Sequence, residues 1–383
     1  MTQTIKSAES VRAGHPDKLC DQIADAVLDK VLTLDPEGRC ACEAMATEGN
    51  IYVAGEISCK ETLNIVSIVK DVLRRTGYST NRIHIHVHIH AQSQDIAGGV
   101  DHALETRTST DQALGAGDQG TVVGFATDET SELLPLPLVL SHRICQKLDG
   151  CMKEHTIDGL RPDGKAQVSI AYQDGKPARI KSIVVSAQHT RQKDLSKFAE
   201  EIREKVLIPA FASFPFDEET EIYINPSGRF VLGGHAADTG LTGRKLMVDT
   251  YGGLALHGGG AFSGKDPTKV DRSSAYMARA IARNVVMAGL AKKCQISISY
   301  AIGKAEPVAL AIDTFGTGTA SDERILSAIG ETFDLRPQPI IETLSLMRPI
   351  YSETSVYGHF KNSSHATWEK LDKTAILREA VRG

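Results

Sequence analysis

The chain has 383 residues, of which 41% are hydrophobic and 24% charged, the composition of an ordinary globular protein. Its length allows two or three domains of about 100–150 residues each. The formal charge of −5 excludes a general nucleic-acid binder, so any cationic site has to be local.

In chain order, residues 16–32 (PDKLCDQIADAVLDKVL) place Leu19, Ile23, Ala26, Val27 and Val31 on one helical stripe, with Pro16 suited to the first turn. CEAMATEG and NIYVAGEIS follow as alternating runs that meet at Gly49-Asn50, which predicts a β-hairpin. A second amphipathic helix is expected over about 60–75, ended by Gly77, and then the strand RIHIHVHIH (82–90). The order returns with a helix near 138–154, a hairpin turning at Asp174-Gly175, a helix at about 191–206 and the strand TEIYIN. It returns again with a helix near 273–292, a hairpin turning near Gly303-Lys304 and a helix at about 321–333.

Hairpins beginning near residues 40, 165 and 294 predict an α+β fold of three similar domains with an internal pseudo-threefold repeat. Each domain is expected to be a mostly antiparallel sheet with helices on one face, and the hairpins argue against βαβ winding. The boundaries fall at 1–101, 115–231 and 232–383, with chain crossovers between domains. The polar, Gly-rich segment 102–114 reads as a mobile lid.

Seven cysteines, odd in number and without a C-x-x-C, read as reduced thiols of a cytoplasmic protein, although Cys40-x-Cys42 is able in principle to contact a metal. The N-terminus MTQTIKSAES has no apolar core of an export signal. The longest apolar stretch, LLPLPLVL, is broken by two prolines and too short to span a bilayer.

The most informative chemistry is GGGAFSGKDP (258–267), which spells a phosphate-binding loop up to Lys265 and then fails. A magnesium-binding Ser or Thr should follow the lysine, and Asp266 stands there instead. What remains is a glycine-rich turn whose N–H groups can face anions, flanked by Lys265, Lys269 and Arg272, with Asp271 as an acid suited to Mg²⁺. Upstream, DTGLTGRK (238–245) adds Asp238, Arg244 and Lys245, NPSGRF adds Arg229 and a stacking aromatic, Phe230, and RPDGK adds Lys165. GHPDK (14–18) caps the first helix, where His15 can donate to a phosphate oxygen and Asp17 can take a metal. Together these assemble the cations needed around a polyphosphate. His84, His86, His88 and His90 share one strand face about 6.7 Å apart, too far to close around one ion unaided. They read as a wet or interface-packed sheet face rather than a zinc site.

GHPDK, GAGDQG (115–120), GRFVLGG, DTGLTGRK, VDTYGG and HGGGAFSGKDPTKVDRS (257–273) occur in one order that closely resembles the S-adenosylmethionine synthetase family across essentially the whole chain. The resemblance implies three similarly built domains, ATP and L-methionine as substrates, Mg²⁺ (two per site) and K⁺ as cofactors, and a homotetramer of tight dimers with active sites between subunits. It implies His15, Lys165, Arg244, Lys245 and Lys265 as catalytic phosphate ligands, with Asp163, Arg229, Phe230, Asp238 and Ala261 completing the ATP site. Glu56, Asp118, Asp238 and Lys269 would serve methionine, Asp17 and Asp271 Mg²⁺, and Glu43 K⁺. The sequence departs from the family pattern at Gly98, where a glutamine is usual, and at His235, where proline is commoner. The competing classes are a phosphotransferase, which needs an acceptor with a base beside it, and a non-catalytic descendant, which would have lost the acids or lysines that are present here.

Overall fold

The computed structural model describes residues 3–91, 103–106 and 113–382. Three sheets organise the chain. One joins β1 (Gln3–Val11), β6 (Leu160–Gln173), β7 (Lys176–His189) and β8 (Glu221–Ile224) in the order β1-β6-β7-β8. A second joins β2 (Arg39–Thr47), β3 (Asn50–Ser58), β4 (His84–His90) and the short β9 (Gly240–Leu241) in the order β4-β3-β2-β9. The third is β5 (Gly120–Thr127), β10 (Lys293–Tyr300) and β11 (Ala309–Asp313), in the order β11-β10-β5.

Two of the hairpins turn tightly. Glu48 and Gly49 (φ 41° and 79°), like Asp174 and Gly175 (φ 49° and 79°), take the paired left-handed conformation that suits the twist of two-residue hairpin loops. The third does not: residues 301–308 separate β10 from β11, so the turn expected at Gly303-Lys304 is a longer connection.

Two findings correct the expected topology. The helices α2 (Ile65–Arg75) and α4 (Leu195–Ile202) each lead from a hairpin to a parallel neighbour, β3 to β4 and β7 to β8, so these sheets are mixed and contain the crossover that the hairpins argue against. The first strand of each hairpin also pairs with a strand from a distant part of the chain: β2 with β9, β6 with β1, and β10 with β5.

A long helix covers each sheet: α1 (Pro16–Leu34) packs on β2, α3 (Leu136–Lys153) on β1 and β6, and α5 (Val270–Met287) on β5 and β10. The stripe Leu19, Ile23, Val27 and Val31 of α1 is fully buried, each side chain worth about 1.5–3 kcal/mol against exposure. The C-terminal segment closes over α5, where Trp368 stacks on Tyr276 with ring centroids 3.8 Å apart. Cys40 and Cys42 point inward to the core, and burial pushes the Cys42 thiol up to about 12, so the pair is not a metal-ready thiolate. Opposite them, His84, His86, His88 and His90 share the exposed face of β4, as their alternation requires. Among the described residues no helix is long and apolar enough to cross a membrane.

The polar side of α1 holds the chain together. Asp17, Asp21, Asp25 and Asp29 recur every four residues and therefore stack on one face. Asp17 accepts from Leu241 N (3.0 Å), Asp21 from Gly243 N (2.8 Å), Asp25 from Gly264 N (2.9 Å) and Asp29 from Tyr351 N (2.9 Å). The N-terminal helix thus fixes three segments of the C-terminal part of the chain, at residues 241–243, 264 and 351. Asp25 also forms a two-pronged ion pair with the fully buried Arg272, at 2.7 and 3.0 Å. Removing the charge from Asp25 leaves that guanidinium uncompensated, which costs about 3–5 kcal/mol. Asp25→Asn should therefore lower the urea midpoint sharply, and an unchanged midpoint would contradict the pinning role of this pair.

Candidate active site

The sequence at 12–17 folds as a tight turn, with His15 N donating to Arg12 O (3.0 Å), before Pro16 opens α1. His15 is the N-cap: its Nδ1 accepts from Asp17 N at 3.2 Å, which leaves the proton of a neutral ring on Nε2, free to donate elsewhere. Burial first, and Lys245 next, push the imidazole down to about 3, against the opposing pull of Asp17. Asp17 itself is almost wholly buried, with Lys245 Nζ at 2.6 Å and Arg244 at 3.7 Å. Burial works to raise its pKa, but the hydrogen bonds from Lys245 and Leu241 N outweigh this and hold the carboxyl below its usual value. Lys165, on β6 beside Glu9 (3.7 Å), adds its positive field to His15.

A second cluster lies further along α1. Lys265 Nζ is 2.6 Å from Asp271 Oδ2, and Lys265 is bridged to Ala41 of β2, whose other neighbour across the sheet is Glu56. Glu43 shares that face; burial raises its carboxyl, with Lys265 opposing. Asp17 and Asp25 anchor the two clusters, and their eight-residue separation corresponds to about 12 Å along the helix axis.

The glycine-rich loop is held rather than open. Gly264 has φ +84°, and a Cβ there would lie 1.9 Å from Cys42 O, so only glycine allows this approach to β2. Its N–H is committed to Asp25, as Lys265 N–H is to Phe262 O. These two amides are therefore not offered to an anion, and Lys265 is the cation the segment presents. Arg272 is likewise withdrawn, fully buried on Asp25 and 4.0 Å from the Tyr351 ring. Asp266 is buried, accepting from Cys40 N (2.7 Å), Thr268 and Lys269, which explains why an acid follows Lys265.

The remaining candidates sit around these clusters. Asp163 accepts from Gly164 N and Gly234 N, both at 2.7 Å, and burial raises its carboxyl against those bonds. Phe230 N donates to His189 Nε2 at 3.0 Å, while Arg229 and Asp238 are exposed. A side chain on Gly243 would strike Ala261, so the Arg244 turn and the glycine-rich loop touch. Glu56 meets His90 at 3.6 Å. Lys269 pairs with Asp266 at 2.6 Å, and Gly117, preceding the exposed Asp118, packs on Thr268 O. Gly98, with most of the expected lid, lies outside the described residues.

Sequence reasoning missed Asp21, Asp25 and Asp29. Their four-residue spacing opposite the apolar stripe was the available signal.

Three family models match in order: the N-terminal, central and C-terminal domains of S-adenosylmethionine synthetase, over residues 3–97, 113–230 and 232–370. The chain is 48% identical over 394 residues to the S-adenosylmethionine synthase of Desulforudis audaxviator, covering 100% of both. It is 48% identical over 388 residues to that of Staphylococcus epidermidis, covering 98% of this chain and 97% of the relative. The protein is a transferase. It belongs to the S-adenosylmethionine synthetase family, and its activity is that of a methionine adenosyltransferase.

The depressed pKa of His15 has a direct readout. An unfolded histidine titrates near 6.5, so a folded state that keeps His15 neutral loses stability as pH falls below that value. In the ligand-free protein the His15 ring should show no protonation between pH 8 and 5 by NMR, and an inflection near 6.5 would contradict the geometry.

Proposed function

We propose that the methionine sulfur attacks C5′ of ATP, forming the S–C5′ bond as the C5′–O bond breaks and the whole tripolyphosphate leaves. A thioether has no proton to lose, so no general base is needed, and the barrier lies in the charge developing on the leaving group. Preorganised cations are then the main catalytic apparatus. His15 donates through Nε2–H, and Lys165, Arg244, Lys245 and Lys265 supply positive charge. Phe230 and Arg229 pack on the adenosine, with Asp163 and Ala261 shaping its pocket. Asp238 faces ribose and methionine, and Glu56, Asp118 and Lys269 hold the amino acid. The tripolyphosphate is hydrolysed to phosphate and diphosphate before release.

The observation that carries this reading is the pairing of lysines with acids. Lys245–Asp17 and Lys265–Asp271 are each closed at 2.6 Å. In each pair the lysine can turn to a phosphate while the carboxylate turns to a cation, with little net charge to desolvate.

Among the described residues no group of three or more His, Cys, Asp or Glu side chains converges as a metal cage. Single carboxylates suit Mg²⁺, which is bound through one or two carboxylates plus substrate phosphates and water. Asp17 and Asp271 would hold two Mg²⁺ and Glu43 would hold K⁺; when bound, the divalent ions neutralise charge on the phosphate oxygens.

We further propose a homotetramer built from tight dimers with active sites between subunits. The common pattern of hairpin plus distant first strand supports an internal threefold repeat, with domains 1–101, 115–231 and 232–383 and a lid at 102–114. The free state of all seven cysteines supports a reducing, cytoplasmic setting.

Incubation with ATP, L-methionine, Mg²⁺ and K⁺ should yield S-adenosylmethionine with equimolar phosphate and diphosphate by mass spectrometry and phosphorus NMR. ADP as the product would contradict the reaction. Lys245→Met and Lys265→Met should each lower kcat by about 10²–10³ with little effect on the methionine KM; kcat near wild type would remove the lysine from the phosphate site.

A further inference from the structure

Tyr78 belongs to none of the motifs that mark the site, yet three segments of the site converge on it. It follows the end of α2, and its hydroxyl donates to Gly14 O at 2.5 Å. Gly14 is buried and directly precedes His15. On one side, a Cβ on Gly14 would lie 2.4 Å from Pro162 Cβ, and Gly77, next to Tyr78, faces the same proline. Pro162 immediately precedes Asp163. On the other side, the Tyr78 ring meets His235 edge-on, with centroids 5.1 Å apart. His235 sits in the turn whose Gly234 N donates to Asp163 and whose Gly234 O accepts from Asp238 N (3.1 Å). Gly234 has φ +62°, and a Cβ there would lie 2.0 Å from the Tyr78 hydroxyl, so glycine is required for the phenol to reach through.

We propose that Tyr78 is a positioning residue for the phosphate-binding turn, holding Gly14, and through it His15, in register with Asp163 and Asp238. This rests on the reading of His15 as a phosphate ligand. Burial raises the phenol's pKa, so the hydroxyl keeps its proton and remains a donor to Gly14 O. Without that hydroxyl the buried carbonyl loses its partner, and the turn is free to relax toward another donor. His15 reaches the substrate from the end of this turn. A displacement of about 1 Å in a catalytic group can cost about 10²-fold in rate. His235 completes the wall behind the ring, so a residue that departs from the family pattern acquires a role in seating Tyr78. Among the described residues its buried Nδ1 has no hydrogen-bond partner, and the ring acts here by packing.

The test is a double-mutant cycle on kcat for adenosyl transfer, using Tyr78→Phe, His15→Ala and the double variant in the full-length protein, with methionine KM and thermal midpoint measured alongside. Tyr78→Phe preserves the ring and should lower kcat about tenfold or more while the methionine KM stays within about twofold. Because it acts through His15, the double variant should be no slower than His15→Ala alone. Losses that multiply, or wild-type kcat in Tyr78→Phe beside an impaired His15→Ala, overturn the positioning role and leave the His15 reading intact. Wild-type kcat in His15→Ala overturns both. Should Tyr78→Phe fail to fold, His235→Ala takes its place in the cycle. It should give a smaller loss, about three- to fivefold, again absent on the His15→Ala background; a loss that persists on that background overturns the proposal.

Discussion

The two lysine–carboxylate clusters of the site hang on one face of one helix. Four aspartates spaced by four residues repel one another in an isolated helix, at about 0.2–0.5 kcal/mol per pair. Only Asp17 lies in the first turn, where the helix dipole favours it. The others are tolerable because the C-terminal part of the chain supplies a backbone N–H group to each, and Arg272 to Asp25. Charge-assisted bonds of this kind contribute about 1.5–3 kcal/mol each. The helix and the loops it holds are therefore interdependent, and the lysines at 245 and 265 are positioned by acids more than two hundred residues away in sequence.

That constraint explains why the glycine-rich loop is not a nucleotide-binding loop of the usual kind. A phosphate-binding loop uses its own amides and a hydroxyl on magnesium. Here at least two of the amides are already committed, one to an acid of α1, and Asp266 turns inward to secure β2 and Lys269. Each of the two principal lysines beside the loop rests on a carboxylate. The resting site is nearly neutral, which lowers the cost of burying these charges before a ligand arrives.

Much of this was legible in the sequence. The apolar stripe of α1, the turn chemistry of Asp174-Gly175 and the alternation of the four histidines follow from periodicity and local conformation, and they appear where expected. Strand partnership did not follow, because nothing local in Gln3–Val11 says that it pairs with β6 rather than with its own neighbours. The parallel crossovers were missed for a similar reason: a hairpin followed by a helix does not fix the side on which the next strand docks. In the site, residue types were legible through motif resemblance and their states were not. Arg272 reads as a cation beside the loop and is instead sealed on Asp25. Burial of that kind is a property of packing, and a charged letter in a polar motif carries no sign of it.

The central claim is that the lysine–carboxylate pairs are the closed form of a site that opens onto a metal-bound triphosphate. The most direct measurement is a crystal structure with Mg²⁺ and a non-hydrolysable ATP analogue. The account predicts that Lys245 and Lys265 leave Asp17 and Asp271 for phosphate oxygens while both carboxylates turn to the cations. A bound nucleotide with both pairs still closed would contradict it.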